Sequence, residues 1–144
     1  MIGNQTALGS ITAVSGTSYE AGFITATNGS INVSSAGTST IDGYVSGGAA
    51  SVFSTSGDVV LTAGTTSVGT STLTSIVGSV VTEAITTTNN MSDIVINAGA
   101  MVTANGNLTS SDDVDVAAGT SITYANVMTV TNIDLNARNE MTCR

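Results

Sequence analysis

Histidine, lysine, proline and tryptophan are absent from the 144 residues, and charged side chains make up only 8% of them. About a quarter is usual for a globular domain. Two arginines, Arg138 and Arg144, stand against ten acidic residues, which leaves a net charge of −8. Nucleic-acid binders neutralise phosphates with Lys and Arg, so a chain this poor in cations is expected to have no nucleic-acid partner. The same shortage argues against docking on an anionic membrane surface. No apolar run approaches the roughly 18 residues of a membrane span, and no membrane insertion is expected. Residues 1–10 lack the basic start and apolar centre of a secretory signal, so export by the usual signal-peptide route is not expected. The single cysteine, Cys143, excludes an internal disulfide framework and reads as an ordinary thiol near the C-terminus. There is no phosphate-cradling Gly-Lys-Ser/Thr loop, no nucleophile elbow and no Cys/His metal cluster.

Aromatic residues are only 3% while hydrophobic residues are 41%, so layers of Val, Ile, Leu and Ala must fill the core. Ser, Thr, Gly and Asn dominate the remainder. Beta-branched residues suit a pleated surface, and no apolar stripe of helical period is long enough for an amphipathic helix. The best helical stretch, 75–86, alternates as well as it winds and is read as strand. A mean hydropathy of +0.34 and periodic apolar positions argue against disorder. The length suits one domain, 1–144, with no Pro-rich or charged linker to divide it.

What the chain does have is a repeat. Apolar triads recur at Ile11/Ala13/Ser15, Ile31/Val33/Ser35, Val59/Leu61/Ala63, Val80/Thr82/Ala84, Ile94/Ile96/Ala98, Val114/Val116/Ala118 and Ile133/Leu135/Ala137. Their starts lie 20, 28, 21, 14, 20 and 19 residues apart, about 20 per step, which is the size class of a solenoid coil. Each triad is preceded by a short polar residue (Ser10, Ser30, Asp58, Ser79, Asp93, Asp113, Asn132), as a corner requires. A second apolar column, Ile24, Val45, Leu73, Leu108 and Val127, supplies another inward face. The long step predicts a bulge or loop in 43–56, and the short one a lost side of a coil. Asn28-Gly29 and Asn105-Gly106 are expected to be tight turns with positive φ. The fold expected is all-β: a β-solenoid of about seven short coils, with a β-sandwich or open β-barrel as the alternative. Residues 1–8 are a lead-in or cap, 9–135 the coils, and 136–144 a docking tail or cap.

Candidate chemistry is sparse. Asp112, Asp113 and Asp115 cluster before a strand, and stacking of the coils would bring Asp58, Asp93 and Asp113 into one column. Such a column is a weak candidate for Ca²⁺, which wants six to eight oxygens, although neither the Gly-rich calcium nonapeptide nor an EF-hand spacing is present. Solvated corner carboxylates are the preferred reading, and no cofactor is expected. Paired carboxylates also serve glycoside hydrolysis, but with no His, Lys or Trp to support them no residue is given a catalytic role. Arg138, Glu140 and Arg144 are a weak candidate interface. Five Asn-x-Ser/Thr triplets occur, as a chain rich in these residues produces by chance. Thr-x-Thr pairs at Thr38, Thr70, Thr72, Thr86 and Thr129 suggest the flat threonine ladders of ice-binding solenoids. Their offsets from the preceding triad starts run from 6 to 15, so these pairs do not align.

The stretch 57–81 (GDVVLTAGTTSVGTSTLTSIVGSVV), together with 92–99 (SDIVINAG) and 112–119 (DDVDVAAG), resembles the coil repeats of filamentous-haemagglutinin-type adhesins. That resemblance implies a right-handed β-helix and a surface role. In composition the chain also resembles the decoration and fibre proteins of tailed bacteriophages, made in the host cytoplasm and finishing on the virion surface. The expectation is a non-enzymatic structural protein, foremost a virion component that forms a homo-oligomer, a trimer being favoured, on a larger capsid. A cell-surface adhesin or extracellular filament subunit is the alternative, and a carbohydrate-binding or carbohydrate-acting β-helix the second.

Overall fold

A computed structural model describes residues 2–144, and among them every regular element is a strand. A partial first turn holds a bridge at Ile2 and β1 (Gln5–Ala7). The first full coil contains β2 (Ile11–Ser15) and β3 (Tyr19–Ala26); the second, β4 (Ile31–Ser35) and β5 (Ser39–Ser46). The third runs through β6 (Ala50–Ser54), β7 (Val59–Leu61) and β8 (Thr65–Ser67), and the fourth through β9 (Ser71–Ser75), β10 (Val80–Thr82) and β11 (Ile85–Thr87). The fifth contains β12 (Ile94–Ala98) and β13 (Val102–Thr109), and the sixth β14 (Val114–Ala118) and β15 (Ser121–Met128). The seventh is β16 (Ile133–Ala137) and β17 (Glu140–Cys143).

All pairings are parallel, each strand lying on its counterpart one coil away, so the chain is a β-solenoid. One sheet of seven strands, in the order β16-β14-β12-β9-β6-β4-β2, forms the first face. The other sheet of ten strands forms two more. Its bend is visible in the burial pattern of β3, where inward Tyr19 and Ala21 are followed by Ile24 and Ala26. A step of three between Ala21 and Ile24 replaces the strand period of two, which turns the chain through a corner. In the third and fourth coils this corner separates β7 from β8 and β10 from β11, so β5 pairs with both β7 and β8.

This three-sided geometry corrects the phase of the repeat. The first-face column is Ile11, Ile31, Ala50, Ser71, Ile94, Val114 and Ile133, at regular steps of 19 to 23 residues. Val59 and Val80 instead belong to the second face, in register with Ser39 and Val102. The apparent long and short steps came from a change of face, so no loop fills 43–56 and no side of a coil is lost. In the second apolar column the inward residue of the second coil is Tyr44, while Val45 points out at 42% exposure and Leu73 lies on the first face. Of the stretches similar to haemagglutinin repeats, 57–81 runs over all three faces, from β7 through β8 and β9 to β10, while 92–99 and 112–119 lie on the first.

The reason the phase is hidden lies in how the core is filled. In the third and fourth coils the leading first-face positions are Ala50 and Ser71, too small to mark a strand. Tyr44, reaching in from the third face, is fully buried, and its hydroxyl is 2.9 Å from Ser71 Oγ. Volume is traded between faces within a coil, because what must be conserved is close packing of the whole cross-section. Each large aliphatic side chain buried in these layers contributes roughly 1.5–3 kcal/mol.

Corners inside the coils carry serines. The end of each first-face strand reads Ser15, Ser35, Ser54, Ser75, Ala98, Ala118, Ala137 through the stack. Ser54 Oγ lies 2.6 Å from Gly37 O and 2.8 Å from Gly57 O, and Ser75 Oγ lies 2.7 Å from Gly57 O. Buried carbonyls that turn off the strand ladder need a donor, and a serine hydroxyl supplies one at little volume.

Glycine at the corners answers to close approach rather than to backbone handedness. No described glycine has positive φ, and Met91 is the one described non-glycine residue that does. A Cβ on Gly47 would overlap the carbonyl of Thr27 one coil below, and one on Gly119 the carbonyl of Gly99. Asn105-Gly106, expected as a tight turn, is a bulge within β13 that sets two residues against Ala125 of β15. Residues 136–144, expected as a docking tail or cap, complete β16 and form β17 on β15, and the expected lead-in or cap holds β1, paired with β3.

Candidate functional site

Corner residues that precede the first face form the ladder Ser10, Ser30, Ala49, Thr70, Asp93, Asp113, Asn132. Side chains in it bond to the coil above. Ser10 Oγ accepts from Ser30 N at 3.1 Å, Thr70 Oγ1 from Asp93 N at 3.2 Å, Asp93 Oδ1 from Asp113 N at 3.2 Å, and Asp113 Oδ1 from Asn132 N at 2.9 Å. Asp58 is not part of this column. It sits at the next corner, where its amide donates to Thr38 Oγ1 and its Oδ1 accepts from Ser79 N at 2.7 Å. Asp93 and Asp113 are therefore neighbours and Asp58 is remote from both. Among the described residues no group of three or more His, Cys, Asp or Glu side chains is placed to hold a metal ion.

The acidic character concentrates on the last coils of the first face. Asp115 and Asp134 point outward in register on β14 and β16. Burial raises the Asp115 carboxyl above its ordinary value, and the neighbouring carboxylates of Asp113, Asp134 and Asp93 push it further up. A shallow depression lies beside this pair, lined also by Asn97, Ala117 and Asn136. It continues into a groove that ends at Arg138 and runs past Gly99 and Gly119. Ala117 stands between Asn97 and Asn136 in the outward column, and its short side chain makes the notch. Of the expected tail set, Arg138 therefore borders this groove, whereas Glu140 and Arg144 lie on the second-face edge beside β15. The three are not brought into one site.

Outward columns on the second and third faces are both rich in threonine. On the second face the column is Glu20, Thr40, Val60, Val81, Thr103, Thr123, Thr142. On the third it is Thr6, Thr25, Val45, Thr66, Thr86, Thr109, Met128. The five Thr-x-Thr pairs picked out in the sequence scatter over faces and corners, as their offsets indicated. The third-face threonines form a different series, present at five of the seven levels of their column. It was invisible while the repeat was counted from triads that changed face, and counting from the third-face strands alone exposes it.

Fold and surface together define a parallel β-solenoid whose corner carboxylates are engaged with backbone amides. Comparison with known proteins gives no matching family model, no matching curated protein and no matching solved structure.

Proposed function

We propose that the chain is a non-enzymatic structural protein of an assembled surface, foremost a virion component of the decoration or fibre kind. The observation that carries this reading is the seventh coil. Its inward positions are those of the core, yet Ile133 is 50% and Met141 54% exposed, and Leu135 and Ala137 are only partly covered. Among the described residues β16 and β17 are paired on one side only. An apolar layer with unpaired strand edges is a template for further strand pairing, and proteins that present one have it covered. Support comes also from the chemistry of the sides, where short hydroxyl and amide groups prevail and the corner carboxylates Asp58, Asp93 and Asp113 already accept backbone hydrogen bonds. A rod of this kind offers shape and repeat rather than a reaction centre.

Light scattering after size-exclusion chromatography, at low micromolar concentration, tests the reading. A discrete homo-oligomer, a trimer foremost, is the expected result. A chain that stays monomeric over the accessible concentration range overturns it, and open-ended polymers would transfer the reading to a filament subunit.

A further inference from the structure

One corner of the rod breaks the rhythm of the others. At five of the seven corners between the third-face and first-face columns the chain takes six residues, as from Thr65 to Ser71 or from Leu108 to Val114. From Ile24 to Ile31 it takes seven, and from Ile85 to Ile94 it takes nine. The added residues make a knob on this edge, with Met91 in its turn at 82% exposure, above every other exposed large apolar side chain described. Met91 also has a φ of 67°, a left-handed conformation that few residues other than glycine adopt. Neighbours hold the knob in place. Thr87 Oγ1 donates to Ser92 O at 2.8 Å, Ser92 Oγ to Val68 O at 3.1 Å, and Ser111 Oγ to Asn89 O. A strained turn fixed by its surroundings, with an apolar side chain in water, points to a contact made outside the chain.

The groove beside the first face lies at the same height. Met91 stands between the fourth and fifth coils. The groove starts at Ile76 in the fourth, passes Ala98 and Gly99 in the fifth and Ala118 and Gly119 in the sixth, and ends at Arg138 in the seventh. Knob and groove sit on different edges of the rod, one on each side of the first face, so a chain cannot fill its own groove. Their charges are opposite. Asp93, Asp112 and Asp113 flank the knob, whereas Arg138 closes the groove, between one and two coil rises of about 4.8 Å above the level of Asp113.

We propose that the Met91 corner of one copy seats in this groove of a second copy, whose Arg138 then faces Asp112 and Asp113 of the first. The proposal rests on the assembly reading and names one contact of it. Methionine suits the place, because its flexible thioether fills irregular gaps. Such a contact joins two different patches. Since both lie at one height, it carries rotation without translation along the rod, which favours a closed ring over a filament.

The test is light scattering after size-exclusion chromatography over a concentration series, with circular dichroism confirming the β fold of every variant. The wild-type chain is expected to run as a discrete oligomer. Met91→Asp puts a residue that tolerates positive φ at the knob, and Ala117→Trp fills the groove from an exposed position. Each is expected to raise the dissociation constant by about tenfold or more, the scale of losing a buried anchor. Thr62→Lys, exposed on the opposite edge between the second and third faces, is expected to change nothing. Arg138→Glu is expected to weaken the oligomer, and Asp112→Arg in the same chain to restore it. An oligomer that persists in Met91→Asp and Ala117→Trp overturns this contact and leaves the assembly reading standing, whereas a monomeric wild type overturns both. Equal loss in Thr62→Lys, or a charge swap that restores nothing, overturns the contact as well.

Discussion

The third and seventh coils are written in the same pattern and have opposite fates. In the third, Val52, Val59 and Leu61 are at most 1% exposed, whereas in the seventh Ile133 and Met141 are half in solvent. Intrinsic propensity does not separate them, since isoleucine is as good a strand residue as valine. What differs is the layer above. A solenoid coil cannot bury its own inward face, and each gains its core from the neighbours on either side. Stability is therefore a property of interfaces between coils, greatest in the middle of the stack.

The strongest way to break this comparison is to make the same substitution at two levels of one column. Ile94 and Ile133 are both in register with Val114, and Ile94 is fully buried. Ile94→Ala is expected to cost about 2–5 kcal/mol in chemical denaturation, from lost transfer and the cavity left behind. Ile133→Ala should cost roughly 1 kcal/mol or less, because half of the side chain is already hydrated. Equal losses at the two sites would remove the distinction between centre and end.

Glycines sharpen the same contrast. Gly47→Ala drives a methyl into the carbonyl of the coil below and should destabilise by about 1–3 kcal/mol. Gly16, in the first coil, has nothing within 4 Å of an added Cβ and no positive φ. Gly16→Ala should be neutral or stabilise by about 0.4–1 kcal/mol through the unfolded state, a difference that paired thermal melts will resolve.

Next comes the serine corner. Ser54→Ala removes one of two serine donors at Gly37 O and at Gly57 O, which Ser35 Oγ and Ser75 Oγ also reach, and a loss of about 0.5–1.5 kcal/mol is expected. The same column already carries Ala98 and Ala118 in the fifth and sixth coils, so Ala98→Ser should not give an equivalent gain.

The smallest effect is pH-dependent. Burial raises the Tyr44 hydroxyl above its ordinary value of 10.0, with the Ser71 bond offsetting part of the rise. A raised folded-state value means that the unfolded chain ionises first. The contribution is thus complete below pH 10.0 and is lost as pH rises toward the folded value. An alkaline series of denaturation midpoints should fall more steeply for the wild type than for Tyr44→Phe; parallel curves would place the alkaline loss elsewhere.

Much of the fold was legible in the sequence. Alternation of Ile94, Ile96 and Ala98, or of Val114, Val116 and Ala118, gave strand and inward face together, and the period gave stacking. The phase was not legible where a column passes through Ala50 and Ser71. There the periodic signal vanished from the first face while Val59 and Val80 on the second carried a stronger copy of it. A local pattern cannot report that Tyr44 fills the missing volume from another face, since that compensation exists only in the cross-section. Corner carboxylates were recognised as corner residues, but their bonds to the next coil depend on register, and the same register error put Asp58 beside Asp93. The threonine series of the third face was lost for this reason too.

Native-state amide hydrogen exchange, resolved by residue, tests most directly the claim that burial in this chain is lent by neighbouring coils. Amides of β6, β9 and β12 should exchange only with global opening, and those of β16 and β17 at least a hundredfold faster, a difference of about 2.7 kcal/mol in opening free energy. Uniform protection from β2 to β17 would contradict the account, and so would a seventh coil as slow as the third.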